Sequence, residues 1–122
     1  GQDGAVERVT GIGGVFLRSA DPDALGAWYR DHLGVGTDPD RPWQQDAGPT
    51  VFAGFAADAD YVGSPRQQVM LNFRVGDLDA MLAQLRAAGA DVSDDVQDMD
   101  GVGRFGWVTD PEGNRVELWQ PA

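Results

Sequence analysis

The chain contains no cysteine and a single histidine, His32. The first absence removes disulfide frameworks, thiolate nucleophiles and cysteine-zinc sites from consideration. The second leaves no means of building a Ser-His-Asp constellation, since His32 falls at a helix end. Basic residues are scarce as well: 9 Lys and Arg stand against 20 Asp and Glu, for a formal charge of −11. A field of that sign repels phosphate backbones and anionic lipid heads, so neither nucleic acid nor a membrane surface is an expected partner. The acids are scattered, as on a solvated surface that keeps a protein soluble. No apolar run approaches the length that crosses a bilayer. Residues 1–7 lack the basic start and apolar centre of a secretory signal, which makes a cytoplasmic location the expectation. A phosphate-cradling loop is missing too, because Gly11-Ile12-Gly13-Gly14 falls inside a strand pattern and reads better as close packing or a bulge.

What the chain does have is an internal repeat. Arg18-Ser19-Ala20-Asp21-Pro22-Asp23-Ala24 returns as Arg74-Val75-Gly76-Asp77-Leu78-Asp79-Ala80, 56 residues later. Ala27 and Arg30 recur in the same register as Ala83 and Arg86. Each copy reads as a strand running into a helix. Asp21 suits an N-cap with Pro22 at the first helical position. Leu25, Trp28, Tyr29 and His32 share one helical face, and Gly34 suits a left-handed C-cap. In the second copy Asp77 caps a helix whose apolar face is Leu78, Met81, Leu82 and Leu85, closed by Gly89. Strands are predicted over residues 9–18, 51–57, 67–75, 91–96, 104–109 and 115–119, with a short one over 43–45. Within 67–75, Met70, Asn72 and Arg74 point one way and Val69, Leu71, Phe73 and Val75 the other. The last two strands are joined by Asp110-Pro111-Glu112-Gly113-Asn114, a turn set by Pro and Gly. With 122 residues and no linker, a single domain over 1–122 is expected.

That element order, with Thr109-Asp110-Pro111-Glu112-Gly113-Asn114-Arg115-Val116-Glu117-Leu118-Trp119, resembles the glyoxalase, bleomycin-resistance and extradiol-dioxygenase (vicinal oxygen chelate) superfamily. The resemblance implies an α+β fold of paired βαβββ modules, about 9–64 and 67–120, with helices outside curved mixed sheets. It also implies a homodimer and a groove on the inner sheet faces. Metal-dependent members place His, Gln or Glu at inward positions of the first and last strand of each module, where a divalent ion polarises a bound oxygen group. The first-strand positions in this chain are Gly14 and Met70, neither an ordinary ligand, and residues 50–57 carry none. Only Glu117 matches. No cofactor is therefore expected, and a divalent metal is disfavoured because one carboxylate does not hold it.

The expected function is binding of a small organic molecule in an aromatic groove lined by Phe16, Phe52, Met70, Asn72, Arg74, Phe105, Trp107 and Trp119, as in antibiotic-sequestering relatives. Trp43 is a candidate lid. The alternative is an enzyme of glyoxalase type (a lyase or isomerase) or a dioxygenase, using Glu117 as base or as metal ligand. Each residue also has a plainer reading. The aromatic side chains would fill a core, and His32 would end a helix against its dipole. Glu117 would pair with Arg74 or Arg104, since buried carboxylates are normally compensated. Arg74 itself would pair with acids near the helix starts, and a third outcome is a groove filled by its own side chains.

Overall fold

The computed structural model describes residues 6–122 except Thr37 and Pro39, so part of the lead-in lies outside the described residues. The architecture is α+β, a mixed sheet with two helical segments. Strands β1 (Leu71–Arg74), β2 (Asp91–Val92), β3 (Gln97–Met99), β4 (Gly103–Thr109) and β5 (Arg115–Pro121) form one sheet in the order β1-β5-β4-β2, with β3 also on β4. β1 runs parallel to β5, and the other pairs are antiparallel. With α2 (Leu78–Ala87) between β1 and β2, the second half is the expected βαβββ unit. Of the strand predicted over 91–96 only Asp91–Val92 forms, as β2, and a further strand not predicted, β3, follows it.

Helix α2 starts where the capping rule places it. Asp77 Oδ1 accepts from the Ala80 N–H at 3.0 Å, and Gly89 takes φ +80° beyond the other end. Its buried face, Leu78, Leu82 and Leu85, packs on Val108, Val116 and Leu118. Each fully buried aliphatic side chain contributes about 1.5–3 kcal/mol. Close approach is possible because β4 carries Gly106 there: a Cβ at this position would lie 3.1 Å from both Leu82 methyls.

The first half keeps the capped helix but not a matching sheet. Asp21 Oδ1 accepts from the Ala24 N–H at 3.1 Å, with Pro22 opening α1 (Pro22–Trp28). The helix continues as a wider π-type turn, Tyr29–Leu33, and ends at Gly34 with φ 71°. The repeat explains that turn. Gly34 lies 13 residues after Asp21, whereas Gly89 lies 12 after Asp77, and a π turn absorbs one extra residue without breaking the helix. Leu25 and Tyr29 join the core under α2. Residues 9–18 and 43–57 form no ladder, so the strands predicted there are unpaired in the single chain.

Polar contacts fasten the two halves at the turn between β4 and β5. Tyr29 Oη donates to Asp110 Oδ2 at 2.7 Å, while Asp110 Oδ1 accepts from the backbone N–H of Glu112 and Asn114. Glu112 in turn accepts from the Ser19 hydroxyl and from the Ala20 N–H at 2.8 Å. The Asp-Pro-x-Gly-Asn turn thus anchors the start and middle of the first helix.

Candidate functional site

Strand register builds the site. Glu117 on β5 stands opposite Asn72 of β1 on one side and Trp107 of β4 on the other. Because strand side chains alternate, all three project from the face away from α2. Phe105 and Trp119 pair in the same register, and Arg74 lies opposite Trp119. The face carries an aromatic cluster of Phe105, Trp107 and Trp119, with Tyr61 and Met70 packed against it. The Phe105 and Trp119 rings lie parallel with centroids 6.0 Å apart. Trp119 Nε1 donates to the Val102 carbonyl at 3.0 Å.

Glu117 is buried, 6% exposed, and is compensated by neutral donors instead of an arginine. Asn72 Nδ2 donates to Oε1 at 2.6 Å and Trp107 Nε1 to Oε2 at 3.0 Å. The Tyr61 hydroxyl donates to Oε2 as well. These bonds occupy three of the roughly four acceptor sites of a carboxylate. Neither arginine expected to pair with it does so. Arg104 bridges Asp98 and Asp79 at 2.8 and 3.0 Å. Arg74 donates to the backbone carbonyls of Asp46 and Pro49 and to Thr50 Oγ1, so it holds the 46–50 segment and not the acids at the helix starts. Gly48 suits this contact, since a Cβ there would lie 2.7 Å from Arg74 Nε.

Tyr61 is the residue that sequence reasoning missed, since it lies among turns beyond the 50–57 segment and carries no strand or helix periodicity. Tyr61, Met70 and Glu117 meet on the aromatic face. Tyr61 stands edge-on to Trp107, centroids 5.9 Å apart, and Phe55 stacks on its outer side at 5.2 Å. Arg115 lies over both rings, 4.8 Å from Trp107 and 5.8 Å from Tyr61. Burial, then the bond to Glu117, raises the Tyr61 phenol well above its ordinary pKa, so it remains a proton donor. Gln67 ties the loop down: its side chain donates to the Arg115 carbonyl at 2.7 Å and accepts from the Arg115 N–H at 2.8 Å.

Next to this cluster a cleft of about 2360 Å³ opens between the first-half segments and β1. Phe52, Met70, Asn72, Arg74, Trp119 and Trp43 line it. Phe105 and Trp107 lie buried beyond its wall, and Phe16 points to solvent at 96% exposure. Phe52 is 94% exposed along the cleft rim. His32 sits in the π turn against Trp28, with ring centroids 5.3 Å apart, away from Glu117.

Among the described residues no three His, Asp or Glu side chains come together to hold an ion. Glu117 faces a phenol, an amide and an indole N–H, which are hydrogen-bond donors and not ligands in that form. This residue set does not fit a divalent ion.

A βαβββ unit with its last-strand carboxylate set among aromatic side chains defines a glyoxalase-type domain. The chain belongs to the glyoxalase-like domain family, which matches residues 14–119, and through it to the glyoxalase/bleomycin resistance/dioxygenase superfamily. Solved structures share the fold over most of the chain. TnmS3, an antibiotic binding protein from Streptomyces sp. CB03234, is 21% identical over 96% of this chain and 100% of its own, with a TM-score of 0.60. A superfamily member from Sphaerobacter thermophilus DSM 20745 is 18% identical over 92% and 98%, with a TM-score of 0.59. A lactoylglutathione lyase from Agrobacterium tumefaciens is 21% identical over 93% and 95%, with a TM-score of 0.57. At these identities the likeness concerns the fold. No curated protein matches the sequence. No described helix is long and apolar enough to cross a membrane.

Proposed function

We propose that this chain is a cytoplasmic, homodimeric binding protein that takes a small organic molecule in its aromatic cleft without a metal. The observation that carries the reading is the donor set around Glu117. Three neutral hydrogen-bond donors converge on the one side chain of the family's ligand type, and Gly14 and Met70 stand at the first-strand positions. Lyase, isomerase or dioxygenase chemistry through Glu117 requires its oxygens free for substrate or ion, and these donors compete for them. The likeness to an antibiotic binding protein supports the same reading at the level of fold.

The cleft supports a second copy of the chain in the working protein. Small-molecule sites usually enclose about 300–1,000 Å³, and this opening is wider, at about 2360 Å³. Val9, Val51, Phe52 and Val69 are each more than two-thirds exposed on segments without ladder partners. A partner that pairs with these segments would both cover them and narrow the cleft.

Two measurements test the reading. Elemental analysis of protein purified without a His tag is expected to show no stoichiometric Zn, Ni, Mn or Fe, and near-stoichiometric metal would overturn it. Tryptophan emission titrated with a panel of aromatic and thioether-conjugate compounds is expected to respond saturably to at least one, through Trp119 at the cleft wall. A flat response throughout would leave a fold whose groove is filled by its own side chains.

A further inference from the structure

The geometry points to Tyr61 as a built-in occupant of a ligand subsite: its phenol holds the place of a planar aromatic ligand whose O–H or N–H group hydrogen-bonds to Glu117. This rests on the binding reading above and names the class of molecule that the site takes.

Tyr61 has the features of a bound ligand more than those of core. Its ring stands edge-on against Trp107, under the stacked ring of Phe55 and beside the Arg115 guanidinium. Its one polar atom donates to a buried carboxylate oxygen that the Trp107 indole also reaches. An electron-rich ring with a polar donor at its edge satisfies each of these contacts, by edge-to-face packing, cation–π attraction and a charge-assisted hydrogen bond. The ring is carried by the stretch 57–66, which forms turns and no strand. Besides the phenol, Arg115 Nε donates to the Tyr61 carbonyl at 3.0 Å, and Gln67 just beyond bonds the Arg115 backbone.

The occupant stands behind the wall of the open cleft. Phe55, Ala59, Val62, Met70 and Asn72 line the cleft, and Tyr61 lies between these residues and Trp107 with Glu117. Withdrawal of the loop would therefore extend the cleft to the indole and carboxylate that are now covered. Asn72 stays on β1 throughout and holds Glu117 in place through Oε1. A ligand that merely fills apolar space gains nothing from Glu117. One that supplies the missing O–H or N–H replaces the Tyr61 bond and keeps the buried carboxylate satisfied.

The test uses p-cresol and toluene, which correspond to tyrosine and phenylalanine side chains, titrated calorimetrically into wild type, Tyr61→Phe and Tyr61→Ala. Tyr61→Ala is expected to bind p-cresol about tenfold or more tighter than toluene, the discrimination of a site that loses a hydrogen bond to a charged group. For p-cresol the expected order of affinity is Tyr61→Ala, then Tyr61→Phe, then wild type, because each step strengthens the competing occupant. Circular dichroism establishes that each variant is folded; if Tyr61→Ala is not, the comparison of Tyr61→Phe with wild type decides. Equal p-cresol affinity across the folded proteins, equal affinity for the two probes, or no binding by any of them would overturn the inference. Saturable binding of some panel compound by wild type, unchanged in both variants, would overturn it and leave the cleft reading standing. The predicted affinity order, with no response of wild type to the panel, would support Tyr61 as occupant and count against the cleft as the working site.

Discussion

The Tyr29 phenol donates to the Asp110 carboxylate at 2.7 Å, joining residues 81 positions apart at the seam between the two halves. Both groups are buried. Asp110 also receives two backbone N–H groups and Asn114 Nδ2, so this one carboxylate organises the turn and holds the first helix upon it. Tyr29→Phe removes one of four donors and leaves the ring's packing in place. The expected loss is about 1–2 kcal/mol of unfolding free energy, measured by urea denaturation, and larger for Asp110→Ala, which abandons all four donors.

Glu117→Gln is expected to destabilise by about 1–3 kcal/mol despite its near-identical shape. The carboxylate accepts on both oxygens, so an amide turns an NH2 group toward Asn72 or toward Tyr61 and Trp107. Thermal unfolding read by circular dichroism checks this. A variant as stable as wild type would show that the network is not satisfied as described.

Acid and alkali should act through different groups. The Ser19 hydroxyl, then the Ala20 N–H, hold the exposed Glu112 carboxyl below its ordinary pKa of 4.5. A carboxyl so lowered contributes stability above its unfolded pKa and loses it as pH falls through the folded value. The Tm should therefore fall on acidification below about 4.5, and Glu112→Gln should flatten part of that decline.

Tyr29 and Tyr61 are the only tyrosines, and burial, then their bonds to Asp110 and Glu117, raises both from an ordinary 10.0. Phenols so raised contribute stability that is fully present below pH 10 and is lost as pH rises toward the folded values. Tyrosinate absorbance is expected to appear only together with loss of the circular dichroism signal. Ordinary titration near pH 10 by a folded protein would contradict this.

Gly103→Ala should cost about 2–4 kcal/mol, combining a positive-φ penalty with overpacking. Its φ is 136°, and a Cβ there would lie 2.1 Å from the Gln120 carbonyl oxygen. A shift in the urea midpoint measures it. A neutral outcome would mean that the start of β4 relaxes freely.

What could be read from the sequence was set by local physics. Asp21 and Asp77 cap helices because their side chains reach N–H groups three residues ahead, and the 110–114 turn follows from its Pro and Gly. The aromatic face followed from strand alternation, which put Asn72, Trp107 and Glu117 on one side. Partner choice was less legible. A buried carboxylate suggested an arginine, but Arg74 and Arg104 were engaged by the 46–50 backbone and by Asp79 and Asp98. Tyr61 escaped because loop residues carry no periodicity. A groove position for Phe16 and Phe52 presumes paired strands, and without ladder partners in the single chain Phe52 lines the cleft while Phe16 faces solvent.

The central claim, a binding site that works without a metal, is tested most directly by one affinity compared under two conditions. A compound that shifts tryptophan emission is titrated into the protein before and after exhaustive dialysis against a chelator. The same Kd is expected in both. Binding that is lost on chelation and restored by a divalent ion would contradict it.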